Sequence, residues 1–189
     1  MQPWDVVRLR SSPVAVRNRR RVDTSSVSRD RVTGMCEPND FRATAQLRLR
    51  QADRDGEPVV LVILTIDGFG FVRERMGARE AARASVDAAR LVAAAAGPDG
   101  LATRSAGDRF DVLLPGVGSG VEMRFAERLH RLSERFNHWG GRAYVLSFSM
   151  CAARREPGGP TEIEGLRQQA RKRPVQARRA ARALERLGA

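Results

Sequence analysis

Arg104-Ser105-Ala106-Gly107-Asp108-Arg109-Phe110 is the stretch from which the rest of the chain can be read. It lies between a short extended segment, Leu101 to Ser105, and a run that alternates and then turns apolar, Phe110 to Leu114. Two extended runs joined across Gly107 and Asp108 predict a β-hairpin with its turn at the acid. Such a hairpin presents one carboxylate, Asp108, at its tip.

A second carboxylate stands where it could meet the first. Val59 to Ile66 is an apolar run broken only by one Thr, the pattern of a strand buried on both faces, and it ends at Asp67-Gly68-Phe69-Gly70. An acid at the end of a central strand, opposite an acid on a hairpin turn, is a geometry that holds a hard divalent cation such as Mg²⁺. Asp67 and Asp108 are therefore the candidate metal ligands. The plainer reading of an Asp at a strand end is a turn former or helix cap.

Working outward, Pro38 suits the first turn of a helix in which Phe41, Ala45, Leu49 and Ala52 share one face. Asp53 to Pro58 ends it. After Asp67 a short helix is expected over Phe71 to Met76 and an Ala-rich one over Ala78 to Ala96, stopped by Gly97-Pro98-Asp99-Gly100. Beyond the hairpin, Ser119 and Glu122 have capping-box spacing before the apolar stripe Val121, Phe125, Leu129, Leu132 and Phe136. A turn over Asn137 to Arg142 precedes an alternating strand, Ala143 to Ala153, with Tyr144, Leu146, Phe148 and Met150 on one face. Thr161 and Glu164 repeat the capping spacing and open a helix that Pro174 should kink or end. This order of elements predicts an α/β fold with one mixed central sheet flanked by helices.

The 189 residues suffice for one domain, and 42% hydrophobic content is ordinary for a globular chain. The net charge of +12 is concentrated at the ends: residues 1–29 carry seven Arg against two Asp, and residues 167–189 carry eight basic groups against one Glu. Residues 1–29 show neither helical nor alternating period and read as a basic, disordered arm, with 30–189 as the folded domain. A solvated tail is the plainer account of that arm; contact with nucleic acid through the basic ends is an outsider, because no aromatic platform accompanies the Arg runs. Cys36 and Cys151 are far apart and no secretory signal is present, so reduced thiols in a cytoplasmic protein are expected. His130 and His138 read as surface or packing residues, and no apolar run approaches the roughly 20 residues of a membrane span.

Several ordered motifs resemble the GGDEF domain, the family of diguanylate cyclases that join two GTP molecules into cyclic di-GMP. Asp30-Arg31-Val32-Thr33-Gly34-Met35 resembles the opening D-x-L-T-G-L, and Asp67-Gly68-Phe69 the D-x-F at the end of the first strand. Ala106-Gly107-Asp108-Arg109-Phe110 sits where the signature belongs, and Ser149-Met150-Cys151-Ala152-Ala153 falls on the S-I-G-V-A strand. Ala177-Arg178 with Arg182 resembles the closing A-K-x-x-G-R. The resemblance, from about Asp30 to Arg182, implies a nucleotidyl-cyclase-like fold with a ferredoxin-like core and Mg²⁺ accompanying any bound nucleotide.

Departures from that pattern fall on the chemistry. The signature Glu needed at the metal and catalytic centre is Arg109, and the first signature Gly is Ala106. A cation about 4 Å from a Mg²⁺ position costs about 4 kcal/mol per unit charge at an effective dielectric near 20. An Arg109 ion pair with Asp67 or Asp108 is expected to replace the metal. The Asn and Asp that would recognise guanine are Arg73 and Ala82, the phosphate-contacting Lys is Gly70, and the Arg and Asp of the product-inhibition motif are Gly97 and Gly100. Gly68 and Phe69, with Arg178 and Arg182, remain candidates to hold a phosphate. The resemblance with these losses implies a catalytically inactive module that binds a nucleotide or a signalling protein. The alternative is a weak diguanylate cyclase acting as a homodimer, since each domain must present its substrate to the other.

Overall fold

A computed structural model of the chain describes residues 28–139, 141–160 and 162–175. The elements follow in the order α1 (Pro38–Asp55), β1 (Val59–Ile66), α2 (Phe69–Ala96), β2 (Leu101–Arg104), β3 (Arg109–Pro115), α3 (Val121–Trp139), β4 (Phe148–Arg155), α4 (Ile163–Arg171) and β5 (Pro174–Val175). β1 is the middle of a five-stranded sheet of order β2-β3-β1-β4-β5. Its alternate side chains point to opposite faces. Val60, Val62, Leu64 and Ile66 join the core beneath α2 and α3, while Val59, Leu61 and Ile63 join a second core beneath α1 and α4. Each such side chain contributes about 1.5–3 kcal/mol when fully buried, which is why this strand carries no charge between Val59 and Ile66.

The expected α/β class holds, with a correction to the sheet. Every pairing between named strands is antiparallel, and the parallel component shrinks to the isolated bridge Cys36–Thr103. The crossover through α2 delivers β2 to the sheet edge beyond β3, so β2 runs parallel to β1 without touching it.

α1 buries the expected face of Phe41, Ala45, Leu49 and Ala52 and runs to Asp55, where Gly56 at φ 66° ends it. The two helices expected after Asp67 form one run that begins at Phe69 and is broken at Gly77, whose φ of 87° and ψ of 169° are not helical. Beyond the break Ala81, Ala84, Ala88 and Ala95 are buried on the sheet. α3 buries Val121, Phe125 and Leu129 and continues through the predicted turn to Trp139. Its first intrahelical bond runs from the Arg124 N–H to the Gly120 carbonyl, so Gly120 rather than Ser119 takes the capping position. α4 is preceded by Glu162 as cap, without a side-chain cap bond; Thr161 lies outside the described residues. The helix ends at Arg171, and Pro174 belongs to β5, an edge strand, where its missing N–H is tolerated.

The largest correction concerns the strand expected over Ala143 to Ala153, because β4 begins only at Phe148. The backbone ahead of it is satisfied by side chains instead of a ladder. Asn137 Oδ1 accepts the Leu146 N–H at 2.8 Å, and its Nδ2 donates to the Leu146 carbonyl at 3.0 Å. The Tyr144 hydroxyl donates to Asp87 Oδ2 at 2.7 Å, and Arg142 Nε to the same oxygen at 2.8 Å. Tyr144 and Leu146 are buried as the alternation required, with Val145 exposed between them.

Candidate functional site at the end of the central strand

The turn Ala106–Arg109 brings the signature stretch to the end of β1. The Arg109 N–H donates to the Ala106 carbonyl at 3.3 Å and the Ser105 N–H to the Arg109 carbonyl at 2.9 Å. Register pairs Phe110 with Leu64 and Arg109 with Thr65, and Phe110 is fully buried. One further bond, Ile66 N–H to the Asp108 carbonyl at 2.8 Å, closes the tip against the last residue of β1. This bond sets Asp108 against the residue that precedes Asp67.

The Asp67 carboxylate is engaged from the other neighbour of β1. Ser149 Oγ donates to Oδ1 at 2.6 Å and Ser147 Oγ to Oδ2 at 3.0 Å, while the Asp67 N–H donates to the Ser147 carbonyl at 2.9 Å. Both serines lie within the strand expected over Ala143 to Ala153, and the sequence alone did not link them to the acid. The available signal was two hydroxyls at alternate positions of a strand that pairs with β1. Ser85 was missed as well: its Oγ lies 2.8 Å from the Gly107 carbonyl oxygen and ties the hairpin tip to α2.

Arg109 is exposed and forms no ion pair among the described residues, so the expected pair with Asp67 or Asp108 is absent there. Asp108 is half-buried. Arg73 and Ala82 are both exposed on α2, on either side of the break at Gly77. Gly68 is exposed with φ 70° and precedes the first helical residue, Phe69. The Phe69 ring lies under the turn, where a Cβ on Gly107 would stand 3.6 Å from it. Gly97 caps α2, and a Cβ on Gly100 would come within 2.6 Å of that of Ala96. That contact gives the second glycine a packing role at a position where the resemblance would put an acid. Arg178 and Arg182 lie outside the described residues, as do residues 1–27 of the basic arm. Ser28 and Arg29, its last two residues, are fastened to the domain: the Ser28 N–H donates to Asp40 Oδ2 at 2.6 Å, and Arg29 forms a bridge with Cys36.

The opening motif is stitched to the strand that leads into the hairpin. Asp30 Oδ1 accepts the Thr33 N–H and hydroxyl, each at 2.6 Å, and Oδ2 accepts Arg104 Nη2 at 2.8 Å. Burial pushes the Asp30 carboxyl up, but the bonds from Arg104 and Thr33 outweigh it and hold the pKa at about 2. Burial pushes the Cys36 thiol up to about 11 and raises that of Cys151, so neither is a thiolate at neutral pH. His130 has an acidic neighbour one helical turn on, Glu134 at 3.2 Å, on the exposed side of α3. No three His, Cys, Asp or Glu side chains are grouped as a metal site among the described residues. None of the described helices is long and apolar enough to cross a membrane.

The arrangement has counterparts of known structure. The chain is similar to the GGDEF domain of DgcB from Caulobacter crescentus in complex with c-di-GMP, with a TM-score of 0.66 at 18% identity, covering 86% of this chain and 94% of that one. It is similar to the GGDEF domain of TpbB (YfiN) from Pseudomonas aeruginosa, with a TM-score of 0.67 at 21% identity over 76% and 84% of the two chains. The diguanylate cyclase SiaD of Pseudomonas aeruginosa, in complex with its activator SiaC, matches with a TM-score of 0.65 at 24% identity over 80% and 58%. Identities of this size speak for the fold. No curated protein matches the chain in sequence. The family model described as diguanylate cyclase, GGDEF domain, matches residues 27–183, and the chain therefore belongs to the GGDEF family.

Proposed function

We propose that this GGDEF domain does not make cyclic di-GMP and serves cyclic di-GMP signalling as a cytoplasmic module that binds a nucleotide or a partner protein. The observation that carries this reading is Arg109, a guanidinium at the hairpin tip where the family keeps a carboxylate. A magnesium ion takes near-octahedral oxygen coordination. Here it would find Asp67 with both oxygens already accepting serine hydroxyls, and a fixed positive charge beside Asp108. These residues do not fit the family's metal centre. The guanine-reading positions support the same conclusion, since Arg73 offers no acceptor and Ala82 no polar group.

The test is incubation of the purified chain with GTP and Mg²⁺ or Mn²⁺, followed by chromatography for cyclic di-GMP. The expected result is none; product at a rate that rises with the square of chain concentration would establish the second reading, a weak cyclase working as a homodimer. That reading is favoured by the Ile66–Asp108 bond, which sets Asp108 against the residue that precedes Asp67. A thermal-shift panel of GTP, ATP, GDP and cyclic di-GMP, each with and without Mg²⁺, identifies any retained nucleotide. A ligand at about 100 times its dissociation constant adds about 2.7 kcal/mol of stability.

A further inference from the structure

α3 carries a row that neither the fold nor the hairpin site uses. Arg124, Arg128, Arg131, Arg135 and Trp139 follow one another at intervals of four, three, four and four. At 100° and 1.5 Å per residue, the four arginines fall within about 60° of one another, and the row is about 22 Å long. All five residues are exposed, Trp139 to 80%. Arg124 donates to the Ser119 carbonyl. Arg128, Arg131 and Arg135 take no ion pair or hydrogen bond among the described residues. One end of the row borders an open groove of about 530 Å³ whose lining includes Leu114, Val117 and Phe125. The other end of the row is Trp139 itself, the last residue of the helix.

We propose that this row is the docking surface for an acidic amphipathic helix of a partner protein; the inference deepens the partner-binding reading above and rests on it. A helix laid along α3 repeats every 3.6 residues, so carboxylates at intervals of four, three and four would meet the four guanidiniums one to one. An apolar side chain of that helix fills the groove beside Arg124 and Arg128, and another rests on Trp139. Tryptophan and arginine are the residues that most often dominate binding energy at interfaces. Glu127 and Glu134, exposed on the same helix, flank the row on the side away from the core. Such carboxylates repel the unbroken negative charge of a nucleic-acid backbone or an anionic bilayer, while a helix of mixed charge can pair with them. A second copy of this chain, with its net charge of +12, would be repelled.

The experiment uses the full chain and a fluorescein-labelled helical peptide of about 20 residues, a length matched to the row. It carries glutamates at the stated intervals and leucines at both ends, and a scrambled peptide has the same composition. Anisotropy is expected to show the patterned peptide binding about tenfold tighter than the scrambled one, a difference of about 1.4 kcal/mol. Arg128→Glu with Arg135→Glu should abolish the difference, and a peptide with lysines in place of its glutamates should recover binding to that variant. Trp139→Ala should weaken binding about threefold or more, and Arg42→Glu with Arg79→Glu, on α1 and α2, should leave the tenfold preference standing. Melting curves confirm that each variant folds, and Trp139→Ala carries the test should the double variant fail to fold. Equal binding of the two peptides overturns the proposal. So does tighter binding of a single-stranded DNA oligonucleotide or of phosphatidylserine vesicles through the same arginines. Cyclic di-GMP formation is assayed on the same samples. Its appearance alongside patterned-peptide binding overturns the inactive reading alone, and peptide indifference without it overturns the docking surface alone.

Discussion

Arg155, on β4, and Arg109, on β3, stand beside opposite ends of β1. Arg155 pairs across from Val59, where β1 begins, and Arg109 across from Thr65, where it ends. The Arg155 side chain is fully buried; its Nη2 donates to both oxygens of Asp53, at 2.7 and 2.6 Å, and to the Gly159 carbonyl at 3.0 Å. Arg109 is exposed and makes no ion pair among the described residues. A buried guanidinium must recover the hydration it loses, so its partners become part of the fold. An exposed one keeps its water and leaves the fold indifferent to its identity. Charge therefore closes one end of the sheet as structure, while the guanidinium at the hairpin end stays in solvent.

That contrast can be broken by substitution. Arg155→Ala removes a buried cation and leaves a cavity, and urea unfolding is expected to register a loss of about 3–5 kcal/mol; a loss under 1 kcal/mol would mean that the clasp to Asp53 contributes little. Asp87, with its side chain 5% exposed, holds Arg142 and Tyr144. Asp87→Ala should cost about 2–3 kcal/mol and raise amide hydrogen exchange over Ala143 to Ser147. Unchanged exchange there would show that Asn137 alone suffices to pin the segment.

A third prediction sharpens the comparison through pH. The Asp30 carboxyl is lowered from 3.8 to about 2 in the folded chain, so its contribution is complete above about pH 4 and is lost as pH falls towards 2. The full loss is up to about 2 kcal/mol. Asp30→Asn should remove that part of the acid sensitivity, and a variant with the slope of the parent would place the cause elsewhere. The smallest effect is expected at the open end of the strand: Arg109→Glu should change unfolding free energy by no more than about 0.5 kcal/mol. By the same charge argument it should raise Mn²⁺ affinity in calorimetry. A large destabilisation would show that Arg109 belongs to the fold after all.

Elements with strong local patterns were legible in advance. The apolar run of β1, the turn at Gly107-Asp108, the α1 face through Phe41 and the α3 stripe through Phe125 each follow from nearest-neighbour chemistry, and all four stand as expected. Errors gathered where a distant side chain replaced a local partner. Tyr144 and Leu146 alternate like strand residues, yet Asn137 takes the Leu146 backbone out of the ladder. Arg109 read as the partner of Asp67 or Asp108, yet Ser147, just ahead of β4, and Ser149, on it, donate to the Asp67 carboxylate.

By itself the sequence determined which residues are buried on β1, where the hairpin turns and that a guanidinium, Arg109, follows Asp108 there, because period and residue identity are local properties of the chain. Only the tertiary structure decided that Ser147 and Ser149 donate to Asp67, that Asp53 closes on Arg155 across 102 positions, and that Arg128, Arg131 and Arg135 of α3 take no ion pair or side-chain hydrogen bond among the described residues. Hydrogen bonds and ion pairs are made between whatever the packed elements bring within about 3 Å, and separation along the chain does not disclose that distance.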